Sequence, residues 1–302
     1  MDGKIKCKEW RRTMKKLAAL SVLFLSALAC TTIGNLGGAN TPTPYVMPTN
    51  PPQPTPISVP TDITRREDVG VVCPSDVPEA LNAYNRGVEA ETAGDIEGAA
   101  KAYREAIDLD PTYCDAMDNL ALLLRQKGEF EEAISLYQAS IQIAPDNFVA
   151  HLGLANTYMD LEDYDKAIQE YESMVAIDPA NPEGYYGSGR VHFARENYRE
   201  AIAQFKIAEE LYKAEGSPYV ADAQLFIGFS YTMLEDYVMG RDYLEPIYLQ
   251  FQDNPYVNYY LGYCYYYGES IRDDTLAKQY LTRARDLGLE LEPNLEDFVN
   301  TP

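Results

Sequence analysis

The stretch from Cys114 to Asn181 carries one pattern of apolar, small and charged positions twice. Asn119-Leu120-Ala121 aligns with Gly153-Leu154-Ala155, and Gly128-Glu129-Phe130-Glu131-Glu132-Ala133-Ile134 aligns with Glu162-Asp163-Tyr164-Asp165-Lys166-Ala167-Ile168. Tyr137 then falls on Tyr171 and Pro145 on Pro179, every match being offset by 34 residues. A fixed period of that length, with small and aromatic residues at set phases, predicts a helix–turn–helix unit. Such a pair cannot hide its own apolar sides, so successive units must stack to share a core.

Counted from Cys114 or Phe148, position 8 is Ala121 or Ala155 and position 20 is Ala133 or Ala167. A small side chain there lets two helices cross closely. Position 24, Tyr137 or Tyr171, is a large apolar body for the gap to the next unit. Position 32, Pro145 or Pro179, ends one element and leads into the next, because proline has no amide hydrogen. A first unit over Ala80–Thr112 places Gly87, Ala99, Tyr103, Ala106 and Pro111 at the same phases. A fourth from Pro182 places Gly189, Ala201, Phe205 and Ala208, then has Lys213 where proline is expected and about five extra residues around Gly216-Ser217-Pro218. A fifth from Ala221 has Gly228 at position 8 but Gly240 at position 20, and Pro246 inside its second helix predicts a kink through loss of the bond to the Asp242 carbonyl. A sixth from about Pro255 has a longer turn within Gly268–Gly288, and Leu291, Leu295, Phe298 and Val299 suit a cap on the last helix.

These phases resemble the tetratricopeptide repeat family, whose pattern is a small residue at position 8, alanine at 20, aromatic at 24, alanine at 27 and proline at 32. The tryptophan often found at position 4 is absent; Met117 and His151 stand there. The last unit, with its longer turn, looks like the Sel1-like relatives of that family. The resemblance covers about Ala80–Leu289 in six units, four close and two degenerate. It implies an all-α, right-handed helix–turn–helix solenoid over residues 79–289, with residues 290–302 as a capping tail.

The resemblance also implies that the first helix of each unit lines a concave groove through positions 2, 5, 9 and 12. That assigns Arg125 in the second unit, Asn156 in the third, Tyr186, Arg190 and Phe193 in the fourth, and Phe229 in the fifth. In the sixth it assigns Tyr256, Tyr259, Tyr263 and Tyr266, a stripe of four tyrosines spaced three, four and three residues apart. Tyrosine supplies rigid, amphipathic contact area suited to recognition, although packing beneath the tail is an alternative for some of them. Chaperone-binding members grip a peptide carboxylate with lysines, asparagines and an arginine; Asn156 matches one asparagine, but Leu152 stands at a lysine position, so that clamp is not expected. Adjacent first helices start side by side in this architecture, so Cys73 and Cys114 could pair as a disulfide in an oxidising compartment.

The beginning of the chain has a different character. Residues 1–16 carry seven Lys/Arg against Asp2 and Glu9, and Leu17–Ala29 is an uncharged apolar run. The run is short for a membrane span and fits the apolar core of a secretory signal peptide over residues 1–29. Leu25-Ser26-Ala27-Leu28-Ala29-Cys30 resembles a bacterial lipoprotein signal, in which Cys30 would be lipidated, although leucine usually stands three before the cysteine where Ala27 is found. Plain cleavage after Ala29 and an uncleaved anchor are the alternatives, and all three place the rest outside the cytoplasm. From Cys30 to residue 78 a Pro/Thr-rich linker cannot form a core and suits a semi-rigid polyproline spacer.

Charge and chemistry narrow the function. The formal net charge is −22, and because the head is basic the remainder is more acidic still, which disfavours nucleic acid. No CxxC pair or Cys/His cluster suggests a metal, and His151 and His192 are expected to be packed residues. No nucleophile elbow, phosphate loop, HExxH or dinucleotide fingerprint is present, so neither an enzyme nor a cofactor is expected. The expectation is a membrane-tethered scaffold that binds a protein or peptide partner in the cell envelope, in an assembly or pilot-type role. The alternative is recognition of a cell-wall or carbohydrate ligand by the tyrosine-rich groove.

Overall fold

The computed structural model describes residues 73–301. The expected signal peptide, the Cys30 lipidation site and the linker up to residue 72 lie outside them.

The described residues form six consecutive helix pairs: α1 (Pro78–Thr92) with α2 (Ile96–Leu109), α3 (Cys114–Gln126) with α4 (Phe130–Ile143), α5 (Phe148–Asp160) with α6 (Tyr164–Ile177), α7 (Pro182–Ala194) with α8 (Tyr198–Glu215), α9 (Val220–Met233) with α10 (Tyr237–Leu244), and α12 (Pro255–Tyr267) with α13 (Asp274–Asp286). A short α11 (Tyr248–Phe251) follows α10, and α14 (Pro293–Asn300) follows the last pair. Each helix of the six pairs packs on the next of them, and first helices also touch first helices, α3 on α5, α5 on α7, α7 on α9 and α9 on α12. This is the stacked all-α architecture that the period implies.

Local chemistry sets the boundaries. Asn147, Asn181 and Asn254 accept from backbone amides at the starts of α5, α7 and α12, and Asp95, Asp163, Asp236 and Asp273 do the same for α2, α6, α10 and α13. The turn inside each of the first five units passes through one left-handed residue: Gly94, Gly128, Glu162, Glu196 and Glu235, with φ between 57° and 80°. Glycine takes that conformation freely, whereas glutamate is strained there.

The core changes along the array. In the first three pairs, buried alanines sit at the crossings and Tyr103, Tyr137 and Tyr171 close the gaps between units. From α7 onward rings dominate: Tyr186, Phe205, Phe226, Phe229 and Tyr260 contact one another in series at centroid distances of 4.4–6.2 Å. Pro246 does more than kink its helix. The helix ends at Leu244, and the chain resumes as α11 at Tyr248, because the ring blocks the bond that would continue the ladder. At Gly240 an added Cβ would lie 2.3 Å from Thr232 Oγ1 and 3.1 Å from Cys264 Sγ, so glycine replaces the alanine of the regular units. Cys264 itself is buried and unpaired with another cysteine. Among the described residues no helix is long and apolar enough to cross a membrane.

Candidate interaction face

The first helices carry stripes that meet from unit to unit, tied by side-chain bonds spanning one repeat. Asn119 donates to the Tyr84 hydroxyl at 3.0 Å. Arg125 Nε donates to Asp160 Oδ2 at 2.6 Å, and Arg190 reaches Asn156 Oδ1 at 3.4 Å. The Tyr171 hydroxyl, coming from the second helix beneath, donates to the same Asn156 oxygen at 2.9 Å. Further along, Tyr212 donates to Glu183 at 2.7 Å. The bonds of Asn119, Arg125 and Arg190 hold neighbouring first helices in register, those of Tyr171 and Tyr212 tie second helices to first, and together they form the floor of a continuous face.

Most of the polar residues expected to line this face are that floor. Arg125, Asn156 and Arg190 are each only 7% exposed, and Tyr186 and Phe229 are buried outright. Rings from the second helices and from the next unit close over them: Tyr186 meets Phe205, Tyr212 and Phe226, while Phe229 meets Phe226 and Tyr260. What remains at the surface is largely apolar. Val149 is exposed, and Leu122, Leu152, Met159 and Phe193 are half-buried.

The tyrosine stripe of α12 is shared with the C-terminal tail. The Tyr259 hydroxyl donates to Glu292 at 3.2 Å, Tyr266 packs on Phe298 at 4.5 Å between centroids, and Asn294 donates to the Tyr267 hydroxyl at 2.7 Å. Tyr263 instead joins Tyr237, Tyr259 and Tyr267 in an aromatic patch with centroid distances of 4.4–6.2 Å. Tyr256, at the start of the stripe, is half-buried.

At the other end, the Cys73 and Cys114 sulfurs are 2.13 Å apart, with Cα atoms at 5.2 Å. Ser75 donates to Asp110, and the Cys73 amide donates to Asp115 at 3.4 Å. The chain entering α1 is thus fastened to the start of α3.

One cluster was not anticipated. The buried Asp118 accepts from Asn147 at 2.7 Å, Asn147 also donates to Ser140 at 2.9 Å, and the other Asp118 oxygen has no partner among the described residues. Burial pushes the Asp118 carboxyl up to about 7, against the opposing hydrogen bonds. One turn on, His151 presents Nδ1 to Glu170 at 2.7 Å and Nε2 to the Pro145 carbonyl at 3.1 Å. Burial alone would lower its pKa, but the Glu170 and Pro145 acceptors outweigh it and the shift is upward. Two acceptors on one ring favour the imidazolium, which can donate from both nitrogens. Asn147 just ahead of an apolar helix was a readable cap signal, but the carboxyl beneath it was not.

Comparison with known proteins follows the helix pairs. Residues 82–113, 102–135 and 124–171 match family models described as tetratricopeptide repeats, and residues 155–194 one described as a TPR repeat. A 53-residue stretch, 18% of this chain, is 43% identical to an uncharacterized protein of Methanocaldococcus jannaschii and spans 62% of that protein. The crystal structure of the APC/C hetero-tetramer Cut9–Hcn1 superposes with a TM-score of 0.59 at 21% identity, over 73% of this chain and 42% of that chain. YrrB, described as a TPR protein with an unusual peptide-binding site, gives 0.51 at 22% identity, over 63% of this chain and 94% of its own. At such identities the likeness is one of fold. The described array is an all-α helix–turn–helix solenoid similar to those of tetratricopeptide repeat proteins, a fold that serves protein–protein interaction.

Proposed function

We propose that the chain is an extracytoplasmic, membrane-tethered scaffold that holds another protein of the cell envelope on its first-helix face, in an assembly or pilot-type role. The observation that carries this reading is the continuous face itself. Bonds one repeat apart fix its floor, while Val149 is exposed on α5 and Leu152 and Met159 are half-buried beside it. The setting is supported by the Cys73–Cys114 pair, which needs oxidising conditions to persist, and by the lipoprotein-like segment ending at Cys30. YrrB is described as binding peptide, and the same class of partner is proposed for this chain.

A photo-crosslinking side chain at Val149, in cells that make the full chain, tests the proposal. A discrete envelope protein captured from Val149, but not from Glu172 on α6, is the expected result. Capture from Glu172 alone would sink it. Labelling with a lipid precursor tests the tether, which fails if Cys30 incorporates none.

A second reading is recognition of a cell-wall or carbohydrate ligand, favoured by the aromatic patch of Tyr237, Tyr263 and Tyr267. Glycan binding that disappears in Tyr263→Ala while Val149 captures nothing would select it.

A further inference from the structure

Residues 73–302 carry 42 acidic side chains against 16 basic ones. The basic groups are largely spent within the chain. Arg86, Arg104, Lys127, Lys166, Arg195, Lys213, Arg241, Arg272, Arg283 and Arg285 each pair with a neighbouring carboxylate. On the stripes of the first helices only Arg125 and Arg190 are basic, and both lie in the floor, engaged with Asp160 and Asn156. An incoming partner therefore meets a field of one sign over an apolar strip.

We infer that the partner presents a basic amphipathic segment, with lysine or arginine interleaved with apolar residues, to the first-helix face. The inference rests on the reading of that face as the binding surface and names the chemistry of what fills it. Two features support it. Val149, 37% exposed, together with the half-buried Leu122, Leu152, Met159 and Phe193, offers apolar contact along the middle units. Where α7 and α9 begin, the half-buried carboxylates Glu183 and Asp222 stand on the stripes, and burial together with repulsion from Glu183 raises the Asp222 carboxyl. A cation placed there relieves that repulsion, whereas an acidic segment adds to it. A second copy of this chain, at a net charge of −22, is repelled by the same field. Charge of one sign steers an oppositely charged partner into encounter, and apolar contact then holds it.

The test uses the full chain and three probes: a short synthetic helical peptide of leucine and lysine with leucine at three- and four-residue spacing, the same peptide with glutamate for lysine, and poly-L-lysine, followed by fluorescence anisotropy. The leucine–lysine peptide binds, and binding weakens as salt is raised from low to physiological concentration. Val149→Ser, an exposed change that leaves the melting temperature in place, weakens it by about tenfold, and so does Glu183→Gln with Asp222→Asn, each corresponding to about 1.4 kcal/mol. Glu172→Gln on α6 leaves it unchanged. Equal binding of the glutamate peptide, equal competition by poly-L-lysine, or indifference to Val149→Ser overturns the inference. If crosslinking from Val149 captures a protein whose contacting segment is acidic, the binding face stands and its charge preference falls.

Discussion

Between Ala80 and Met174 the helices cross at alanines, and a tyrosine closes each gap between units. Beyond Tyr186 the same gaps are filled by rings of several sizes packed on one another. The difference follows the spacing of the chain. Where the period of 34 residues is kept, one small residue and one ring per unit meet the same geometry each time. Where extra residues before Pro218, the break at Pro246 and the turn at Glu269–Ile271 disturb it, neighbouring helices meet at unequal distances. Large, adjustable aromatic surfaces then do the filling. A repeat array is held by contacts between neighbours, so the two regions are joined mainly where α6 meets α7.

The most direct way to break the comparison is at that joint. An added Cβ on Gly187 of α7 would lie 2.1 Å from the Tyr171 ring, so Tyr171 packs flat against bare backbone. Tyr171→Ala is expected to remove about 3–5 kcal/mol and to split one unfolding transition into two in calorimetry, the regular and aromatic regions melting apart. A single transition at lower temperature would show that the two regions are coupled elsewhere.

Next in size is the fastening at the start. Replacing Cys73 and Cys114 by serine is expected to lower stability by about 2–4 kcal/mol, read in urea denaturation. Hydrogen exchange should quicken in α1–α3 and stay as it was in α12 and α13.

Protonation gives a third contrast. The folded Asp118 carboxyl is raised to about 7 from 3.8, so its contribution is fully present below pH 3.8 and is lost as pH rises through about 7. His151 is also raised, so its contribution is present below 6.5 and is lost as pH rises through the higher folded value. Both predict a melting temperature that falls from mildly acid to alkaline pH. Asp118→Asn should flatten that slope, leaving a smaller residue from His151 and from Glu183 and Asp222, whose carboxyls burial also raises.

The smallest effect lies in the turns. Gly94 and Gly128 take the left-handed conformation freely, while Glu162, Glu196 and Glu235 are held in it. Glu196→Gly is expected to stabilise by about 1 kcal/mol, and Gly128→Glu to destabilise by a similar amount, each seen as a shift in the urea midpoint.

The sequence made the helix pairs, their phases and the crossing alanines legible because a period repeats the same information several times. It made Gly94 and Gly128 readable as turns, but not Glu162, Glu196 or Glu235, where stacking overrides the preference of the residue. Depth was not legible. Position 9 gives Asn156 and Arg190 the same formal place on the stripe as Leu122, yet the first two are floor and the last is surface. What decides this is the size of the neighbours on the next unit, which no single period encodes. For Tyr259 and Tyr266, packing beneath the tail is one of two readings the sequence leaves open, since the return of the tail onto them depends on a connection outside the repeat. The burial of Asp118 was not legible either, because its partners Ser140 and Asn147 lie 22 and 29 residues further along.

Cys264 gives the aromatic region its own clock. Its sulfur lies 3.2 Å from the Thr232 hydroxyl, and burial pushes the thiol up to about 12, so at neutral pH almost no thiolate is available to an alkylating reagent. Labelling must wait until α9, α10 and α12 separate, and its rate at saturating reagent equals the frequency of that opening. Occupation of the neighbouring face by a partner would therefore register as a delay in the modification of one sulfur.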